Sequence, residues 1–357
     1  MKILALDLGK YKTVACDYEL ATGEHEFETI ATTPQRLHDL LVAREPDRVV
    51  IEICSIAGWV CDLTRALEIE IEVANSNDER WRWKRIKKKT DRTDALKLAS
   101  LSALKQIEPV HVPVREVRQW RALINYRQYL LRRRNKMKNH IRDLLAREAL
   151  LLPRGRSAWT QEGMLALEQL ARPLAEVAGD ALWRGELSIE LGELRRAEEP
   201  LKQVEQKLDK LAKANQNVQL LQTIPGVGPR LAEALVALID DPSRFAHGKE
   251  VGAYLGMVPK QLESGETSRL GHITHHGNRL VRALLVEVSW LGLRYNPWVR
   301  EVYERTRAGK SARRKIAIVA VGRRLLIRSW AMLRDQQPWH GPVKQAPSKK
   351  EKLKRAA

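Results

Sequence analysis

Asp91 and Asp94 stand three residues apart in RIKKKTDRTDALKLA, directly after a run of basic residues. Two further acids stand out in the same region. Asp7 ends the apolar stretch KILALDLG, and Glu52 lies within RVVIEICS, which otherwise reads as a buried strand. Like charges at helical spacing repel, and a carboxylate in an apolar strand is costly unless something neutralises it. The plain explanation of Asp91 and Asp94 is a helix N-cap whose dipole favours both acids. Taken with Asp7 and Glu52 a second explanation opens: acids from two strand ends and one helix start meet at one edge of an α/β sheet around divalent cations. Oxygen donors without His or Cys select Mg2+. The adjacent Lys87, Lys88 and Lys89 would then receive the phosphate backbone on which the metal acts.

The elements that must position these acids follow from periodicity. Residues 1–112 alternate short apolar runs with helical patterns: KILALDLG, RVVIEIC and EIEIEVAN as strands, TPQRLHDLLVAR and AGWVCDLTRALE as helices, giving an α/β domain. Residues 113–215 change texture. Leu123, Leu130, Met137 and Leu144 recur every seven residues, with Ile124, Leu131 and Leu145 beside them, and Leu187, Leu194, Leu201 and Leu208 repeat the pattern, predicting two long helices that pair as a coiled-coil-like arm. Between 115 and 147 eleven Arg or Lys, including Arg132, Arg133 and Arg134, face only Glu116 and Asp143. A solvated charged face is the usual meaning of such a run, but a helix of one sign repels itself without a partner, which favours nucleic acid. Residues 216–343 read as a mostly helical domain with Gly-rich loops, and 344–357 as a solvated basic tail.

Composition narrows the class. The 357 residues carry 63 Lys and Arg against 44 Asp and Glu, a net charge of +19 that calls for a polyanionic partner. No apolar run approaches the length of a membrane span, and Asp7 interrupts the only N-terminal apolar stretch, so the expectation is a cytoplasmic protein, nucleoid-associated when acting, with no membrane partner. Cys16, Cys54 and Cys61 form no CxxC pair and are expected to be buried thiols. Trp81 and Trp83 suit base stacking and packing under the sheet equally.

In IPGVGPRLAEA, residues 224–234, Gly226 and Gly228 resemble those of a helix-hairpin-helix turn, where glycines let backbone amides approach a phosphate; a plain interhelical turn is the alternative. The order Asp7, Glu52, Asp91, Asp94 resembles the DEDD motif of the RuvC-like, RNase H-type domain in a class of insertion-sequence transposases regarded as bridge-RNA-guided recombinases. GVGPRLAEAL, YLGMVPKQLESGETSRLGHITHHGNRLVRALLVE and ARRKIAIVAVGRRLL resemble the C-terminal domain of that family in the same order, so the likeness covers essentially the whole chain.

That resemblance implies an RNase H-like N-terminal domain, a helical arm and a mostly α C-terminal domain. It implies Mg2+ on the four acids, and a serine that attacks DNA and holds the strand as a phosphoserine. Ser264, before Gly265, matches the serine, although Glu266 stands where the family often has a second glycine and Ser268 is a rival. Lys260, Arg269, Arg279, His272, His275 and His276 share the segment, Arg269 and Arg279 as expected phosphate contacts. The implied partners are donor and target DNA, an element-encoded guide RNA, and further copies of the chain as a dimer assembling to a tetramer. Two alternatives remain: a metal-dependent nuclease or junction resolvase with water as nucleophile, and a non-catalytic nucleic-acid scaffold.

Overall fold

The computed structural model describes residues 1–75, 90–264 and 267–341. The expectations placed on Trp81, Trp83, Lys87, Lys88, Lys89, Gly265, Glu266 and the tail from 344 lie outside the described residues. The chain divides into two compact units, Met1–Gln119 and Trp120 onward.

The first unit contains β1 (Lys2–Leu8), β2 (Lys12–Glu19), β3 (His25–Ala31), α1 (Pro34–Arg44), β4 (Arg48–Glu52), α2 (Ala57–Ala66), β5 (Glu70–Ala74) and α3 (Asp91–Ala103). The sheet order is β3-β2-β1-β4-β5. β2 pairs antiparallel with both β1 and β3, while β4 pairs in parallel with β1 and β5 in parallel with β4. This order and sense are those of an RNase H-like, RuvC-like sheet. β1 and β4 read as continuous apolar runs because both of their faces are covered. Leu4, Leu6, Val49 and Ile51 pack on the α1 and α2 side. Ile3, Ala5 and Val50 pack against Ala95, Leu98 and Ala99 of α3 on the other side. The turn after β1 needs glycine, since a Cβ on Gly9 would stand 2.4 Å from the Lys12 carbonyl oxygen.

The second unit holds most of α4 (Arg115–Arg147), then α5 (Gln161–Leu170), α6 (Leu182–Ala214), α7 (Gln216–Gln222), α8 (Pro229–Ile239), α9 (Gly248–Tyr254), β6 (Pro259–Ser264), β7 (Thr267–Ile273), α10 (Arg279–Tyr295), α11 (Pro297–Arg307) and α12 (Arg314–Asp335). α4 and α6 lie antiparallel within one chain, because rising numbers on α4 meet falling numbers on α6: Arg127 with Glu205, Arg133 with Glu193, and His140 with Glu186 and Glu190. Leu187, Leu194, Leu201 and Leu208 are all buried at the expected seven-residue spacing. On α4 the buried set is Ile124, Leu130, Ile141, Leu144 and Leu145, while Leu123, Leu131 and Met137 are only half-buried.

Three expectations change. The basic face of α4 is less isolated than its composition suggests, because glutamates of α6 pair with Arg127, Arg133, Lys138 and Arg147. The segment around Ser264 is a two-stranded antiparallel hairpin rather than an open loop. Cys54 is exposed; only Cys16 and Cys61 are buried thiols, and burial pushes Cys16 up to about 12.

Candidate active site

β1 and β4 run in parallel register, Leu6 opposite Ile51, so Asp7 and Glu52 occupy the next level on neighbouring strands. Successive side chains alternate between faces. Asp7 therefore shares the face of Ala5, and Glu52 that of Val50, which is the face covered by α3. Glu52 sits at the C-terminal end of β4 and is half-buried, rather than inside the strand as its apolar flanks suggest.

The direction of α3 places the other two acids. Near its C-terminal end, Ser102 donates a 2.6 Å hydrogen bond to Glu72 of β5, and its hydroxyl accepts one of 3.4 Å from Arg48 at the start of β4. From Ser102 back to Asp94 the helix climbs about 12 Å. From Arg48 to Glu52 the strand advances about 13 Å. Asp94 thus reaches the level of Glu52, and Asp91 lies one turn beyond it. The start of this helix is fixed by Thr90, whose hydroxyl accepts from the Thr93 amide while the Thr93 side chain accepts from the Thr90 amide. Thr90 is the N-cap, not Asp91, and both acids lie in the first turn, where the helix dipole favours negative charge. Asp94 is 7 % exposed and Asp91 is open to solvent.

Topology thus gathers Asp7, Glu52, Asp91 and Asp94 at one edge of one sheet face. They do not close into a cage: among the described residues no group of three or more His, Cys, Asp or Glu is arranged to hold a metal ion. Asp7, Glu52 and Asp94 each have an interaction partner. Carboxylates about 5 Å apart repel by about 3 kcal/mol at an effective dielectric near 20, so such a set contracts only around added positive charge. The donor set fits Mg2+, being oxygen throughout.

The remaining candidates lie in the second unit. Ser264 ends β6 and pairs with Thr267, and Ser268 pairs with Glu263 one step further from the tip. The base of this hairpin is held by two close approaches. A Cβ on Gly256 would stand 2.2 Å from the His276 carbonyl oxygen, and one on Gly277 would stand 2.2 Å from that of Tyr254. Arg269 lies on β7, and Arg279 opens α10 behind the N-cap Asn278, whose side-chain oxygen accepts from the Leu280 and Val281 amides. His272 is on β7, while His275 and His276 lie in the turn after it; no shared ligand arrangement forms among them. Lys260 lies on β6.

Gly226 (φ +92°) and Gly228 lie between α7 and α8; Gly228 is the N-cap and contributes no side-chain bond, and Pro229 follows it at the first position of the helix. Arg132 and Arg133 are exposed on α4 and Arg134 is half-buried. Sequence reasoning passed over Tyr126 and Tyr129, which stand on the same exposed stripe as Arg132, and over Glu233, a buried acid of α8. The alternation of Tyr and Arg along one stripe was the available signal for the former.

Comparison with known proteins gives the relatives of the chain. Residues 4–148 match a DEDD transposase model of the IS110 group, and residues 218–304 match the model described as "Transposase IS116/IS110/IS902 family"; together they take in more than half of the chain. The transposase for insertion sequence element IS1111A of Coxiella burnetii is 28% identical over 259 residues, covering 70% of this chain and 68% of that one. A probable family 20 transposase of Pseudomonas aeruginosa is 30% identical over 217 residues, covering 59% and 62%. Among solved structures, a Thermus thermophilus RuvC in complex with Holliday junction substrate aligns with 31% of this chain and 99% of its own, at 12% identity and a TM-score of 0.24. The RNase H-like assignment rests on strand order and sense rather than on that likeness. With the DEDD sheet domain and the second transposase domain present in the family's order, the chain belongs to the IS110 family of transposases.

Proposed function

We propose that this transposase cuts and rejoins DNA at the sheet edge carrying Asp7, Glu52, Asp91 and Asp94, with Ser264 as nucleophile and a guide RNA from its own element choosing donor and target sites. The observation that carries the reading is the arrival of Glu52 and Asp94 at one level of the α3-covered face, beside Asp7. A divalent cation bound there would offset charge that builds on phosphoryl and leaving oxygens. The four carboxylates would hold it and, by their net negative charge, set its position relative to the incoming phosphodiester.

In the serine step the Ser264 hydroxyl loses its proton to solvent or a nearby base, its oxygen bonds to phosphorus, and the departing strand leaves with a hydroxyl. The reverse attack by another strand's hydroxyl restores serine and joins DNA without outside energy, because one phosphodiester is exchanged for another. Arg269 and Arg279 are proposed to hold phosphates near the hairpin, Gly226 and Gly228 to admit a backbone phosphate to α8, and Arg132, Arg133 and Arg134 to hold RNA. The proposed working form is a homo-oligomer, a dimer assembling to a tetramer. The four-part division at 112, 215 and 343 assigns these roles to separate segments.

A second reading has its own support. All four acids lie in the first unit, and hydrolysis by water requires nothing from the hairpin, as in a junction-resolving nuclease. Incubating the full chain with its element's DNA junction, the flanking noncoding RNA and Mg2+ separates the two. A denaturation-resistant protein–DNA adduct that disappears in Ser264→Ala supports the serine route. Unchanged cleavage by Ser264→Ala with no adduct replaces it with water.

A further inference from the structure

Tyr126 and Tyr129 are 47% and 57% exposed on α4. Their rings lie 5.9 Å apart between centroids and within 18° of parallel. Steps of three and four residues carry the same exposed stripe onward to Arg132 and Lys136. These two cations differ from four others on α4. Arg127, Arg133, Lys138 and Arg147 each meet a glutamate of α6, whereas Arg132 and Lys136 have no ion-pair partner among the described residues.

We propose that the stripe Tyr126, Tyr129, Arg132, Lys136 binds unpaired nucleotides, with bases on the tyrosine faces and phosphates on the two cations. The proposal rests on the reading of the chain as a nucleic-acid recombinase and deepens it by naming the strand form that α4 takes. A tyrosine face needs an open base face, which a stacked duplex hides and an unpaired loop or displaced strand offers. The two rings already lie nearly parallel and have few rotatable bonds, so little freedom is lost on stacking. From Tyr126 to Lys136 the stripe spans about 15 Å, enough for a few nucleotides. A second copy of the chain packed in parallel across a two-fold fits less well, because it would set Arg132 and Lys136 against their own like charges.

The test uses the full-length chain and labelled oligonucleotides of about a dozen residues, as single-stranded RNA, single-stranded DNA and duplex DNA. The Tyr126→Leu/Tyr129→Leu pair keeps apolar bulk and removes the π faces. It should weaken single-strand binding about ten- to a hundredfold while duplex affinity changes by less than about threefold, and the Tyr126→Phe/Tyr129→Phe pair should stay within about threefold of wild type throughout. The stronger of the two single-strand arms identifies the polymer. Single-strand affinity that survives the leucine pair, or that falls no more than duplex affinity, overturns the proposal. So does loss of an oligomer on sedimentation with single-strand affinity intact, which would make the stripe a contact between copies. Wild-type protein that binds none of the three polymers refutes the underlying recombinase reading instead.

Discussion

Replacing Asp94 by asparagine keeps its size and removes its charge, which isolates what the carboxylate does at its 7 % exposed position. If it helps hold a cation, wild-type protein should gain stability when Mg2+ is added, by up to about 2.7 kcal/mol at a hundredfold excess over the dissociation constant. Asp94→Asn should gain less than a third of that. Thermal unfolding with and without Mg2+ reads both, and equal gains would mean that Asp94 is no ligand. Thr90 and Thr93 supply the cap, so the substitution leaves the hydrogen bonds that start α3 untouched. At this scale much was legible: acids in apolar strands and a spaced pair of aspartates are conspicuous because burial of charge is expensive. The cap was not, since Thr90 and Asp91 are both good N-cap residues and only the backbone chooses between them.

The helix α8 shows what a one-dimensional pattern leaves out. Its residues Leu231 to Ile239 are all buried, Glu233 among them at 1 % exposure. One Glu233 oxygen accepts a 2.9 Å bond from Arg230 and the other has no hydrogen-bond partner among the described residues. Burial raises its pKa to about 7, against the opposing pull of Arg230 and Arg127. The folded value lies above the unfolded one near 4.3, so the native state holds this proton more tightly, and the stability it contributes is full below about pH 4 and is lost as pH rises to about 7. Wild-type protein should lose roughly 4 kcal/mol through that window on this account. Glu233→Gln, neutral at every pH, should show a clearly flatter profile in denaturant unfolding across the same range, and parallel profiles would refute the assignment. The long elements around α8 were readable from seven-residue leucine spacing because a helical seam repeats. Strand β3 was not, because it is an edge strand with one phenylalanine and mostly exposed residues. The hairpin at Ser264 was hidden for a similar reason: its short strands are polar and punctuated by glycine.

Across the whole molecule the charge of +19 is the dominant physical fact. The α6 glutamates neutralise part of α4, leaving exposed cations such as Arg132 and Lys136 for a partner. Among the described residues no helix is long and apolar enough to cross a membrane. Binding through phosphates releases counterions, so duplex affinity should fall by about 10^3- to 10^5-fold between 50 and 200 mM salt if six to ten phosphates are contacted. A shallow salt slope in a filter-binding or anisotropy titration would contradict that picture. The partner class was legible in composition alone. The convergence of Asp7, Glu52, Asp91 and Asp94 at one sheet edge was an expectation of the sequence; the β1–β4 register and the direction of α3 that bring them there were not, being properties of the folded sheet. The central claim is tested most directly by the rate of junction cleavage in Mg2+ for Asp7→Asn, Glu52→Gln, Asp91→Asn and Asp94→Asn, each checked for retained DNA binding. Each single change is predicted to lower cleavage by about a hundredfold or more while binding persists. Cleavage near the wild-type rate in any of the four would remove that residue from the site, and in all four would remove the site itself.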